Sequence, residues 1–197
     1  VAWADTKPSL GIASCKLITP KGSCHPALRP IRLPHLKPYL LSYLGLQPFF
    51  CTVHPDFFYP NFDDDKEQAV DVVRGSFMLM RKEVIDSLGG ALDKGYFILF
   101  EDVDLCRQMK EKKLPVFYTP KMSCIDYFGA SFDKKTPTFK YKNVSQSLLR
   151  YVIKWHSPMH VLWLIPLTLI GYIARFAMPS PKKLPFTLKK FLRTFKV

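Results

Sequence analysis

YFILFEDVDLCRQMKEKKLPVFYTP, residues 96–120, packs three carboxylates into four positions directly behind the apolar run Phe97, Ile98, Leu99 and Phe100. The carboxylates are Glu101, Asp102 and Asp104. From Glu101 to Lys112 the spacing predicts a helix with Leu105, Cys106 and Met109 on one face. Its acids fall in the first turn and Lys110 and Lys112 in the last, an order that complements the helix macrodipole. Helix-start chemistry therefore accounts for one or two of the acids. It does not account for their place behind residues 97–100. An apolar lead-in of that kind delivers carboxylates to the rim of a packed sheet, where one could work as a base on a bound substrate. Composition leaves both explanations open.

Outward from this stretch the chain alternates strands and helices. PVFYT (115–119) and SCID (123–126) read as short strands, and AVDVVRGSFMLMR (69–81) as an extended, half-buried one. KEVIDSLGG (82–90) reads as a short helix with Val84, Ile85 and Leu88 on one face and Gly89 or Gly90 at its C-terminal end. LGIASCKLITPKGS (10–23) predicts a strand followed by a turn, and the residues before it the end of a helix. Residues 25–50, rich in proline and aromatics, read as an ordered irregular segment with short helices, and NFDDDKEQ (61–68) as a solvated loop. This alternation indicates an α/β domain.

The chain of 197 residues suits one domain with an appendage, and its apolar fraction of 48% argues against disorder. Cysteines 15, 24, 51, 106 and 124 show neither a C-x-x-C pair nor a metal spacing, which fits reduced thiols in a cytosolic environment. The net charge of +13 is unevenly placed: residues 1–133 are balanced, whereas residues 134–197 hold 13 Lys/Arg and no Asp or Glu. One-signed charge of this extent points to an anionic partner, either nucleic acid or a membrane surface. PMHVLWLIPLTLIGYIA (158–174) has no charged residue, and such apolarity favours the membrane over nucleic acid. No nucleic-acid recognition motif is present.

The series VVRGSFMLMRKEVIDSLGGALDKGYFILFEDVDLCRQMKEKKLPVFYTPKMSCIDYFGASF resembles the C-terminal half of family 2 glycosyltransferases, especially the rhamnosyltransferase-like group. The family pattern runs G-(A/S)-x-(M/L)-L-x-R, a helix, G-G-x-D-E-x-F-F-x-x-x-E-D-x-D-L-x-x-R, then Y-x-P and H-x-x-G-x-S. Gly75, Arg81, Gly89, Gly90, Asp93, Phe97, Glu101, Asp102, Asp104, Leu105, Tyr118, Pro120, Gly129 and Ser131 match it in order. The similarity spans residues 8–155 and is strong from 70 to 132. It implies a partial GT-A (Rossmann-like) α/β domain over residues 1–145 that lacks most of the nucleotide-binding half. A basic, membrane-associating helical tail follows over residues 146–197.

The resemblance further implies inverting transfer of a sugar from a nucleotide-sugar donor. That chemistry needs a base for the acceptor hydroxyl and a divalent cation, Mg²⁺ or Mn²⁺, for the departing diphosphate. By position in the motif Asp102 is the expected base, with Glu101 the second candidate. Asp104, Arg107 and Gly75 are expected to orient the acceptor loop, and Asp104 and Arg107 are spaced to pair across one helical turn. Where the family carries a histidine before its x-x-G-x-S, this chain has Asp126, an acceptable hard-oxygen ligand for such a cation. GGALDKGYF holds one residue more than the usual spacing. The family's strand-ending D-x-D metal motif belongs upstream of this region. Asp63 and Asp65 have its spacing, but FFYPNF before them is no buried strand, and FDDD reads as an acidic loop near the acceptor side. With no initiator methionine, the chain is expected to be a fragment, inactive alone.

Residues 158–174 suit a short transmembrane helix, a membrane-lying helix or a helix packed on the catalytic domain, with Lys154, Trp155 and Arg175 as flanking anchors. FTLKKFLRTFKV (186–197) spaces Leu188, Phe191, Leu192 and Phe195 as an interfacial amphipathic helix does. The expected partners are a nucleotide-sugar, a lipid-linked glycan acceptor and the anionic surface of the plasma membrane at its cytoplasmic face. The expected role is cell-surface polysaccharide synthesis. The alternative is a non-catalytic membrane-binding remnant or partner module.

Overall fold

Strand β1 (Ile12–Ile18) is buried along nearly its whole length, as a strand covered on both faces must be. A computed structural model gives the architecture and describes residues 2–34, 58–128, 130, 135–160, 162, 163, 165, 166, 169 and 170. In chain order the elements are α1 (Ala2–Asp5), β1, a 3₁₀ turn (Pro26–Leu28), β2 (Gln68–Val70), β3 (Leu79–Met80), α2 (Lys82–Ser87), α3 (Glu101–Glu111), β4 (Val116–Ile125) and α4 (Pro137–Trp155). The sheet order is β2-β4-β1-β3. β1 and β4 form a parallel centre, and β2 and β3 lie antiparallel on the two edges. This mixed α/β arrangement agrees with the expected partial GT-A domain.

The chain divides into two compact units, one of residues 1–33 and 58–151, the other of residues 34–57 and 152–197. In the first, Ala4, Leu10 and Ala13 form one core cluster with Trp3, Leu79 and Phe117. Cys15, Leu17 and Leu28 form another with Phe77 and Cys124. Cys15, Cys24, Cys106 and Cys124 are unpaired; Cys51 lies outside the described residues. Burial pushes the Cys15 thiol up to about 11 and that of Cys106 up to about 12, so neither is a reactive thiolate at neutral pH. In the second unit the described positions from 158 to 170 are helical and exposed. No helix among the described residues is long and apolar enough to cross a membrane. The expected amphipathic helix at 186–197 and residues 35–50 of the irregular segment lie outside the described residues.

Two differences from the sequence reading have clear physical causes. PVFYT and SCID are parts of one strand, β4. Its register on β1 runs Cys15↔Thr119 and then Lys16↔Ser123, so Pro120, Lys121 and Met122 have no partner there. Pro120 has no N–H to give the ladder, and the strand bulges at that point.

The second difference is that 69–81 is two short strands rather than one. β2 and β3 both run against β1 and β4, so the chain between them must travel back along the direction of the central pair. Residues 71–75 make that return. Val72 bonds Ile31 in both directions at 3.0 Å, and Ser14 Oγ donates to the Phe77 carbonyl at 2.8 Å as the chain turns into β3. The acidic loop is also more tied down than a solvated loop: Asp63 pairs with Lys66, Asp64 with Arg29 and Asp65 with Lys16.

Gly11, at the mouth of β1, is crowded by Met109 of α3 and by Leu114 and Pro115, which lead into β4. A Cβ there would lie 2.8 Å from Met109 Sδ, 2.9 Å from Leu114 Cβ and 3.1 Å from the Pro115 carbonyl oxygen. Gly11→Ala is therefore expected to destabilise the protein by about 1–3 kcal/mol through overpacking. A lower urea midpoint at unchanged slope is the expected result.

Candidate active site

Helix α3 lies beside the returning segment in a matched register. Asp102 Oδ2 accepts from the Gly75 N–H at 3.1 Å, the Cys106 sulfur meets the Val73 backbone, and Lys110 Nζ lies 3.8 Å from Asp71 Oδ1. Four helical residues advance about 6 Å and two extended residues about 6.6 Å, so every helical turn meets every second residue of the segment. Because 71–75 runs with β1 and β4, α3 runs against them. Met109, near its C-terminal end, sits over Gly11 at the start of β1. The N-terminal turn with Glu101 and Asp102 therefore faces the C-terminal ends of the parallel strands, the ligand-binding side of an open α/β sheet. Asp126 follows the last residue of β4 toward that same end, its N–H bonded to the Ile18 carbonyl at 2.8 Å.

Asp102 is half-buried, and its Oδ1 accepts from the Val103 N–H at 2.8 Å. One first-turn N–H is thus satisfied by a carboxylate, because the N-cap residue is Phe100 and has no side chain to cap with. Capping and a chemical role coexist here, since each Asp102 oxygen spends one lone pair on a backbone N–H and keeps another for a substrate proton. Gly75 is open enough for ordinary contact with Asp102: a Cβ there would lie 3.6 Å from Asp102 Cβ.

Glu101 differs from its neighbour. Its Oε2 is buried without a hydrogen-bond partner among the described residues. Burial, reinforced by the nearby Asp102 charge, raises the Glu101 pKa above the usual carboxylate range. Asp104 is fully buried, accepting from Tyr96 Oη at 3.2 Å and from Gln108 Nε2 at 2.8 Å. Burial and the Asp104 charge hold the Tyr96 phenol protonated. Arg107 Nε donates to Glu111 Oε1 at 2.9 Å.

The apolar lead-in takes an unusual backbone. Leu99 and Phe100 both have left-handed φ, 66° and 68°. Residues with a Cβ adopt that region at a cost of about 1–2 kcal/mol each, so surrounding contacts must hold it. α4 supplies them from one stripe of its surface. Phe139 meets Phe97 edge-on at 6.2 Å between ring centroids, Ser147 Oγ donates to the Ile98 carbonyl at 2.8 Å, and Tyr151 packs on Phe100 at 5.5 Å. Arg150 pairs with Asp93 at 2.6 Å and lies over the Tyr96 ring at 5.4 Å. Its guanidinium occupies the space above Gly95, where a Cβ would fall 1.9 Å from Arg150 Cζ. The sequence reading singled out neither Ser147, Arg150 nor Tyr151. Their heptad-like spacing was visible, but its target, a loop some fifty residues earlier, was not.

Among the described residues no three His, Cys, Asp or Glu side chains gather as a metal group. Asp126 is one hard-oxygen donor at the end of β4, and Gly129 and Ser131 of the motif lie outside the described residues. A family model described as "Glycosyltransferase like family 2" matches residues 58–138, the stretch that carries Gly75, the acidic turn of α3 and Asp126. It supports glycosyl transfer from a nucleotide-sugar. No curated protein and no solved structure matches the chain.

The raised Glu101 pKa sets a pH dependence. A carboxyl group that binds its proton more tightly folded than unfolded contributes most below its unfolded pKa, about 4.3, and that contribution is lost as pH rises through the folded value. Glu101→Gln removes the cost of burying the charge. The variant is expected to match the wild type near pH 4 and to be the more stable protein at pH 7, as read by thermal unfolding across that range.

Proposed function

We propose that the protein takes part in inverting transfer of a sugar from a nucleotide-sugar to the hydroxyl of a lipid-linked glycan, with Asp102 as the base. The observation that carries this reading is the Asp102 carboxylate, fixed by the Gly75 N–H at the strand-end rim within the family-matched stretch. In this mechanism Asp102 takes the acceptor proton as the oxygen attacks the anomeric carbon, and the nucleoside diphosphate departs from the opposite face. Asp104 and Arg107 keep the turn in place, and Gly75 holds Asp102 in orientation. Glu101, its pKa raised by burial and by the neighbouring Asp102 charge, is the second carboxylate of the turn and the alternative candidate for the base. A bound Mg²⁺ or Mn²⁺ would offset the charge of the leaving diphosphate. Asp126 is the residue proposed to ligate it, together with donors beyond the described residues.

The finer reading is a rhamnosyltransferase-like enzyme of cell-surface polysaccharide synthesis, whose nucleotide-binding half precedes the residues in hand. It is held at the cytoplasmic face of the plasma membrane by peripheral or single-pass attachment. Two observations support the membrane contact. Met159, Leu162, Trp163, Ile165, Leu169 and Ile170 are exposed, Trp163 by 68%. The surrounding residues 134–197 hold 13 Lys/Arg and no acid. Both features suit an anionic bilayer surface.

Asp102→Asn in the full-length protein is expected to lower release of nucleoside diphosphate from UDP-, GDP- and dTDP-sugars by about 10²- to 10⁴-fold, with an unchanged circular dichroism spectrum. Wild-type turnover in that variant would remove Asp102 from the role. Association with phosphatidylglycerol vesicles, weakened by salt and absent on neutral vesicles, is the expected result for the tail. Vesicle binding with no turnover of any donor would instead favour the non-catalytic membrane module.

A further inference from the structure

The acidic turn of α3 is only as well placed as the loop that leads into it, and that loop is held from outside. Its two left-handed residues, Leu99 and Phe100, sit directly before Glu101. Upstream, Asp93 Oδ1 accepts from the Gly95 N–H at 2.8 Å and from Arg150 at 2.6 Å, which closes the loop into a compact turn. Downstream, the buried Ser147 hydroxyl donates to the Ile98 carbonyl at 2.8 Å, next to the first left-handed residue. A backbone that must pass through a sparsely populated region needs such contacts at both ends, or it relaxes and turns the following helix start with it.

We propose that Ser147 and Arg150, both on α4, are positioning residues for Asp102: they set the 93–100 loop, and the loop sets the carboxylate. The inference rests on the base role given to Asp102 above. Neither side chain need touch a substrate. Ser147 fixes the height of the Ile98 carbonyl, and Arg150 fixes Asp93 and the Tyr96 ring, whose hydroxyl in turn bonds Asp104 on α3. Gly95 belongs to the same device, because only a residue without a Cβ leaves room for the Arg150 guanidinium. A small misplacement of a catalytic group costs rate far more than binding, so loss of the clamp acts on kcat.

The test compares Ser147→Ala, Arg150→Ala and Gly95→Ala with Asp102→Asn in the full-length protein. Arg150→Ala changes an exposed side chain, and Gly95→Ala keeps Arg150 but evicts its guanidinium, so folding is not at stake in either. Two quantities are read: kcat and KM for whichever of the UDP-, GDP- and dTDP-sugars is turned over, and hydrogen exchange at the Gly75 amide, which reports the Asp102 bond without any substrate. The expected result is a roughly tenfold or greater fall in kcat at unchanged donor KM, with faster Gly75 exchange in each clamp variant. A folded Arg150→Ala or Gly95→Ala protein with wild-type Gly75 exchange would overturn the inference. So would wild-type kcat in either variant while Asp102→Asn is inactive. If Asp102→Asn is itself active, it is the base role that fails, and the exchange data alone then decide whether the clamp places this carboxylate.

Discussion

Two consecutive residues with side chains, Leu99 and Phe100, hold left-handed backbone immediately before α3, and the site depends on that constraint. Left to itself the chain would relax there, because each residue gives up about 1–2 kcal/mol in that region. What holds it is one stripe of α4: an aromatic edge at Phe139, a buried hydroxyl at Ser147, a guanidinium at Arg150 and a ring at Tyr151. The apolar character of 97–100 has its explanation here. Phe97 and Phe100 are packing partners for α4, and their burial or edge contact offsets the backbone cost of bringing the acids to the rim. Phe97 nonetheless remains 76% exposed, so its contact with Phe139 covers only part of the ring.

The second constraint is the return of the chain between β2 and β3. Two antiparallel edge strands flanking a parallel pair force residues 71–75 to run with that pair, and α3 docks against them turn by turn. This docking explains why three acids in four positions have three different fates. Asp102 meets Gly75 and stays half-exposed at the rim. Glu101, one position earlier, turns an oxygen into a place with no donor among the described residues. Asp104 points into the core, where Tyr96 and Gln108 satisfy it. Helical geometry alone separates these side chains by about 100° per residue, but only the neighbours decide which direction is wet.

Much of this was legible in the residues. The helix at Glu101 with Leu105, Cys106 and Met109 inward, the short helix ending at Gly89 and Gly90, and the strand over residues 12–18 all follow from local periodicity and turn chemistry. The division of 69–81 into two edge strands was not legible, because alternating apolar residues look alike whether they face a strand or a helix. Nor was the continuity of β4 through Pro120, since proline ordinarily ends a strand and here only bulges it. The ionic ties of Asp64 to Arg29 and Asp65 to Lys16 were also hidden, being contacts between residues 35 and 49 positions apart.

By itself, the sequence determined the α/β class, the acidic helix start, the charge asymmetry of the last third and the order of the motif that the family model matches. Those are local or additive properties: periodicity, capping, macrodipole and net charge need no knowledge of what packs where. Only the tertiary structure decided which carboxylate faces solvent, which is held by the Gly75 amide and which is buried, and that α4 carries the loop before them. Those outcomes depend on desolvation and on partners distant in the chain, and no window of sequence short enough to have a period contains both ends of such a contact.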